Sequence, residues 1–353
     1  MPDEIFKYEP SADEQIRFLL YIQRLLAEGQ FTSTYKFALV LAIANLCVEK
    51  LEASGTRFLE IDARALSEQF IDIYWRQSIP FRGVVLKQNT GNQATIITQI
   101  ERARSDAGGS LFALRSDHRR WNALVSRIAG KIVEMPLWKL QTLDGESAEY
   151  LYSSADSAKT IRIPAGIAFC FRRFHGLVIE LVQSAWLQFV RRQPTNKLVL
   201  GADGDLEGFM FGTDRRVLGK FVPIFRETQS DQCFYCASRL STETAEVGHF
   251  IPWSRYRSDL GHNFVLAHQS CNRDKLDRLA GLEYLDRWTK RNSEFGTELA
   301  VEFQKAGLIY DQRTTNQIAR FAYEQVETTG SSVWLGKRNR LTQLTSDWRD
   351  ILV

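Results

Sequence analysis

The segment that decides how this chain is read runs Cys233-Phe-Tyr-Cys236, then Glu246-Val-Gly248-His249-Phe-Ile-Pro-Trp253, then His262-Asn263-Phe-Val-Leu-Ala-His268-Gln-Ser-Cys271-Asn272-Arg-Asp-Lys275. Three of the five histidines and three of the five cysteines of the 353-residue chain fall within it. Cys233 and Cys236 form a C-x2-C knuckle, and His268 and Cys271 form an H-x2-C knuckle further on. Two short knuckles separated by a longer loop are how a chain supplies four soft ligands to a tetrahedral zinc ion. A closed four-ligand site of this kind is structural, so the zinc would staple the segment together and leave the chemistry to other residues. No signal peptide is evident, and thiols in a reducing cytosol argue against a disulfide. Cys47 and Cys170 sit in apolar helical runs, 39–48 and 167–178, and read as core residues.

Between the knuckles lies a second constellation. His249 is followed by Asn263 fourteen residues on and by Asn272 nine further. In this order and spacing, residues 227–282 resemble the HNH endonuclease family, whose ββα-metal motif reads roughly C-x2-C, D-H, N, C-x2-C-N. The resemblance implies a strand over 247–251 delivering the histidine, a loop over 252–261, and a second strand over 263–267. A helix would then run from near Cys271 through Lys275, Leu276 and Leu279 towards Leu285.

Carried over residue by residue, His249 matches the general base, since a neutral imidazole can take a proton from water attacking phosphorus. Asn263 matches the residue whose amide fixes the loop and orients that imidazole. Asn272 matches a hard ligand to a single divalent ion, Mg2+ or Mn2+, which would stabilise the departing 3′ oxygen. Arg255, Arg257 and Lys275 read as phosphate contacts, or as ordinary solvated cations. The pattern departs at one place: Gly248 stands where the family carries an aspartate that ligates the metal. Glu246, two residues earlier on the same side of an extended strand, could replace it, or could pair with Arg255 or face solvent. His262 is another substitute ligand, or part of a turn.

Composition places the rest of the chain among globular proteins, at 44% hydrophobic and 25% charged residues, with no 18-residue apolar run. A cytoplasmic protein with no membrane segment is expected. The net charge of +3 is unevenly spread. Residues 80–140 hold 10 basic against 4 acidic side chains, and 162–197 hold 6 against 1, whereas 226–280 are balanced at 7 against 7. The phosphate grip is therefore expected from the flanking helices, as a salt-sensitive and mostly sequence-independent interaction.

Ser11 and Glu14 form the pattern of a capping box opening an amphipathic helix to about Glu28. An apolar helix follows through Leu51, and a third over 62–75 ends at Ile79-Pro80. Gly108–Ser110 and 141–160 read as loops or hinges. A long helix over 165–192 carries Arg172, Arg173, Arg191 and Arg192, either as a DNA-tracking element or as a scaffold. Residues 201–212 read as a loop or short hairpin, and 293–306 and 316–327 as amphipathic helices. The basic, aromatic tail, 337–340 with Trp334 and Trp348, could contact nucleic acid or pack its rings in the core.

The expected fold is mostly α with a small α+β module. It divides into a helical N-terminal domain (1–150), a basic helix and linker (151–220), a zinc-stapled nuclease domain (221–285) and a helical C-terminal segment (286–353). The resemblance implies metal-dependent hydrolysis of DNA, in a setting such as bacterial restriction or antiphage defence. Two alternatives stay open: a catalytically altered nucleic-acid-binding module, or the nuclease subunit of a larger complex whose protein partner, or second copy, docks on the N-terminal helices.

Overall fold

The computed structural model describes residues 9–29, 32–50, 57–91, 94–143, 145–147, 149–154, 159–201, 205–212, 215–336 and 340–352. The fold is mostly helical with small sheets, and contacts group the chain into two compact units, 1–213 and 214–353.

The first unit is organised around the helix Tyr35–Glu49, which is buried almost all round. A helix apolar on every side belongs in the middle of a core, and this one packs on Ala63–Gln77, Ala165–Arg173 and His175–Arg192. Phe37 and Tyr74 close on Trp186, at ring separations of 6.0 and 5.3 Å. The polar edge of Trp186 is satisfied by Gln88 at 2.8 Å. The first helix, Ala12–Glu28, begins with both halves of the capping box between Ser11 and Glu14. Asp62 caps the third by accepting from the Ala65 amide. Leu51, expected as the end of the second helix, lies outside the described residues.

Several expectations change here. The long helix over 165–192 is two helices, Ala165–Arg173 and His175–Arg192, separated where Phe174 leaves helical geometry. Arg172, expected on a DNA-tracking or scaffold helix, is buried, and so are His175 and Gln183. The Arg172 guanidinium turns inward to the carbonyls of Cys47 and Val48, and His175 meets Asn45 at 3.2 Å. Within 141–160, Thr142–Leu143 pairs with Glu146–Ser147 and Ser153–Ser154 pairs with Thr160–Pro164, which also pairs with Phe58–Asp62; residues 144, 148 and 155–158 lie outside the described residues. Instead of a hairpin, residues 206–211 form a short helix capped by Asp205. The segment 151–220, set apart in the sequence reading, contributes His175–Arg192 to this first core.

In the second unit, Ala245–His249 and Phe264–His268 form a two-stranded antiparallel sheet, with His249 opposite Phe264 and Gly248 opposite Val265. The helix Gln269–Lys275 packs across both strands. It stops at Lys275 and does not continue towards Leu285. Leu276 takes φ +51°, a left-handed conformation costly for a side chain with a β-carbon, and a separate helix runs over Leu282–Glu294. That helix covers the sheet: Trp288 stacks on Phe250 at 4.9 Å, and the Arg291 guanidinium reaches the carbonyls of His262 and Phe264. Gly296–Ala306 and Gln312–Thr328 complete the helical layer. The strand Ser332–Trp334 returns to the module. Trp334 exchanges backbone hydrogen bonds with Leu279 and Gly281, and its indole donates to Asp274 at 2.9 Å. Trp334 and Trp348 are buried, so their rings pack in the core; residues 337–339 of the basic tail lie outside the described residues. Among the described residues, no helix is long and apolar enough to cross a membrane.

Candidate functional site

The sulfur cluster is built from a turn and a strand end. In the turn, the Cys233 amide donates to Ser238 and the Ala237 amide to Cys233. The strand Phe264–His268 and the first turn of the following helix bring His268 and Cys271 opposite. One ligand atom from each of Cys233, Cys236, His268 and Cys271 lies within 4.8 Å of all the others. His268 Nδ1 faces the Cys236 sulfur at 3.3 Å, and its Nε2 lies 3.2 Å from the Arg239 carbonyl. A carbonyl accepts only from N–H, so this contact protonates Nε2 and leaves the Nδ1 lone pair aimed into the cluster, as in metal-ligating histidines. Burial and the neighbouring sulfurs push the Cys271 thiol up to about 12. Cys236 is raised by burial, but hydrogen bonds involving Ser238, Cys233 and His268 outweigh this and bring it down to about 6. A dication shared among the four would relieve this crowding of sulfur, and the donor set is compatible with zinc.

The second constellation resolves into two neighbouring groups. On one face of the strand, Glu246 and Gly248 meet Asn272 from the helix. The Asn272 amide nitrogen lies 3.4 Å from the Glu246 carbonyl and 3.5 Å from its carboxylate. A β-carbon built on Gly248 would stand 2.8 Å from that nitrogen and 3.1 Å from the Asn272 Cγ. The missing aspartate thus has a steric counterpart, since the Asn272 side chain occupies its place.

The other group surrounds His249, the last residue of the strand. Its ring lies edge-on to Phe264 at 4.8 Å and near Trp253 at 5.7 Å. Its Nε2 lies 2.8 Å from Asp259 Oδ1. Asp259 was not among the residues singled out by sequence, because only the path of the intervening loop brings it back. Asn263 closes that loop: its side chain accepts from the Ile251 amide at 2.8 Å and donates to the Ile251 carbonyl at 3.0 Å.

Lys275 links the two groups, since its ammonium lies 3.4 Å from the His249 carbonyl. It is 2% exposed, which corrects its reading as a surface phosphate contact. Burial pushes this ammonium down to about 7, against the opposite pull of Asp277, and the Arg255 charge adds a smaller depression. Arg255 is half-buried and Arg257 exposed. His262 is also corrected as a substitute ligand. It is buried, with its Nε2 towards the Gly296 carbonyl and its ring against Phe303 and Tyr310.

Comparison with known families adds two matches. Residues 15–202, more than half of the chain, match the model of a domain of unknown function, DUF8808. The chain belongs to that family. Following the DUF8808 segment, residues 233–280 match the HNH endonuclease model. This second match spans both sulfur knuckles, the His249 strand and the Asn272 helix. No curated protein and no solved structure matches the chain.

Proposed function

We propose that the chain is a metal-dependent endonuclease that hydrolyses phosphodiester bonds, with DNA as substrate. The observation that carries this reading is His249, at the end of a strand inside the segment matching the HNH endonuclease model, with one ring nitrogen turned to a carboxylate. In this reading His249 removes the proton from the attacking water, which is worth about 10²- to 10⁴-fold in rate. Glu246 and Asn272 are the residues that would hold a divalent ion, Mg2+ or Mn2+, on the adjoining face of the strand. Such an ion supplies charge stabilisation at the scissile phosphate and at the departing oxygen.

Asn263 keeps the loop closed, and Arg255 and Arg257 are the nearer candidates to meet the flanking phosphates. Exposed cations of the first unit, among them Arg119, Arg120, Arg127, Arg191 and Arg192, fit a sequence-independent grip on the polyanion. The zinc held by Cys233, Cys236, His268 and Cys271 would keep sheet and helix together. Defence against foreign DNA is the setting we attach to this activity, and phage plating on cells with and without the gene tests it.

Incubation of supercoiled plasmid with the full chain and Mg2+ or Mn2+ tests the enzyme reading. Nicked circles with 5′-phosphate ends are expected, and His249→Ala should slow their appearance by about 100-fold or more. Absence of nicking under either metal overturns it. A second reading has its own support: the close fit of Asn272 on Gly248, with its amide turned to Glu246, is what a binding module that has given up its metal cup would retain. Salt-dependent DNA retention without cleavage would favour that reading.

A further inference from the structure

The pairing of His249 with Asp259 reaches beyond the residues that the resemblance supplies. Nε2 and Oδ1 are 2.8 Å apart, within the range of a charge-assisted hydrogen bond. An ionised carboxylate can only accept, so the ring must carry its proton on Nε2. Among the described residues no hydrogen-bond partner faces Nδ1, and the His249 side chain keeps 10% of its surface open to solvent. The ring packs against Phe264 and Trp253.

Asp259 is presented by a loop tied at its base. The Phe250 amide donates to the Asn263 carbonyl, Ile251 is bracketed by the Asn263 side chain, and the Asn263 amide donates to Leu260. Of the other charges nearby, Lys275 meets the main chain of His249 from the helix with Arg255 beside it, and Glu246 lies three residues back on the strand.

We propose that Asp259 is a positioning residue: by accepting from Nε2 it fixes the His249 imidazole in the tautomer whose bare Nδ1 receives the proton of the attacking water. The tautomer follows from the geometry alone, while its use rests on the nuclease reading above. In that reaction a water O–H proton passes to Nδ1 as the oxygen bonds to phosphorus. The bond from phosphorus to the 3′ oxygen breaks, and the leaving oxygen is protonated from solvent. The imidazolium, still hydrogen-bonded to Asp259, then returns its extra proton to solvent.

Two measurements on the full chain test this separately. Long-range proton–nitrogen spectra of histidine-labelled protein should show His249 protonated at Nε2 and bare at Nδ1. Asp259→Ala should give a mixture of tautomers, and Asp259→Asn, whose amide can donate to Nε2, should move the proton to Nδ1. The same variants, checked for unaltered thermal unfolding, are assayed for plasmid cleavage. Turnover should fall in the order wild type, Asp259→Glu, Asp259→Ala, Asp259→Asn, by about 10-fold or more at Ala, with KM within about twofold. A packing role would instead rank the isosteric Asn above Ala. A wild-type spectrum with Nδ1 protonated, or spectra unchanged in Asp259→Ala, overturns the proposal. Normal turnover in Asp259→Asn overturns its catalytic half. A wild-type chain that cuts no plasmid overturns the nuclease reading together with that half, and the spectra still decide the tautomer.

Discussion

The side chain of Asn272 rests on the α-carbon of Gly248, so closely that a β-carbon there would lie 2.8 Å from its amide nitrogen and 3.1 Å from its Cγ. All of these contacts are to the Asn272 side chain, so relieving them requires it to turn about its Cα–Cβ bond, away from Glu246. Installing the aspartate of the resembling family therefore should not rebuild a better metal site. Gly248→Asp is expected to lower stability by about 1–3 kcal/mol and to displace Asn272. Urea unfolding and Mn2+ titration read both effects. A variant of undiminished stability that binds Mn2+ more tightly would show that Asn272 has room to move.

Metal content is the next test. Elemental analysis should give one zinc per chain, and Cys271→Ser or a strong chelator should lower the stability of the second unit, since the four ligands sit on a turn, a strand end and a helix that the ion would tie together. Retention of the native melting profile after complete zinc removal would count against a structural role.

Asn263→Ala tests the loop bracket. The substitution strips the Ile251 amide and carbonyl of their partners together, in a residue that is fully buried. Each unsatisfied buried group costs about 1–3 kcal/mol, so a loss of about 2–6 kcal/mol in denaturant unfolding is expected. Cleavage should fall as well, because Asp259 is carried by the same loop.

Lys275 predicts a pH dependence. Its folded-state pKa, near 7, lies below the unfolded value of about 10.4. Between those values the unfolded chain binds the extra proton, so this group's contribution to stability rises with pH across that window. Its full cost is felt below pH 7. Lys275→Met should accordingly stabilise the protein at pH 6, by roughly 5 kcal/mol as an upper bound, and the gain should shrink as pH approaches 10. Urea midpoints of both proteins at pH 6 and pH 9.5 measure this, and an equal difference at the two pH values would refute it.

What could be read in advance was what is local. The knuckle spacings, the capping box at Ser11 and the apolar helix after Thr34 each lie within a few turns of chain, where side-chain chemistry and periodicity act directly. The partner of His249 was hidden because Asp259 reaches it only through the shape of a ten-residue excursion. Pairing of Phe58–Asp62 with Thr160–Pro164 was hidden for a related reason: two five-residue strands carry a weak alternation, and their partners are about a hundred residues apart. The stop at Lys275 had no glycine or proline to announce it, since Leu276 itself adopts the positive φ. Burial of Lys275 and Arg172 ran against the ordinary preference of long cations for solvent, and in both cases main-chain carbonyls face the charge.

The return of Trp334 to the Leu279–Gly281 backbone has a consequence for synthesis. The HNH match ends at residue 280, yet the indole that seals that end and holds Asp274 arrives more than fifty residues later. On a ribosome, the helix bearing Asn272 and Lys275 would emerge without its lid and stay unsealed until the strand Ser332–Trp334 had cleared the exit tunnel. Assembly of the module is in this sense timed by the strand Ser332–Trp334, and a fragment cut at the family boundary would be a folding intermediate rather than a smaller enzyme.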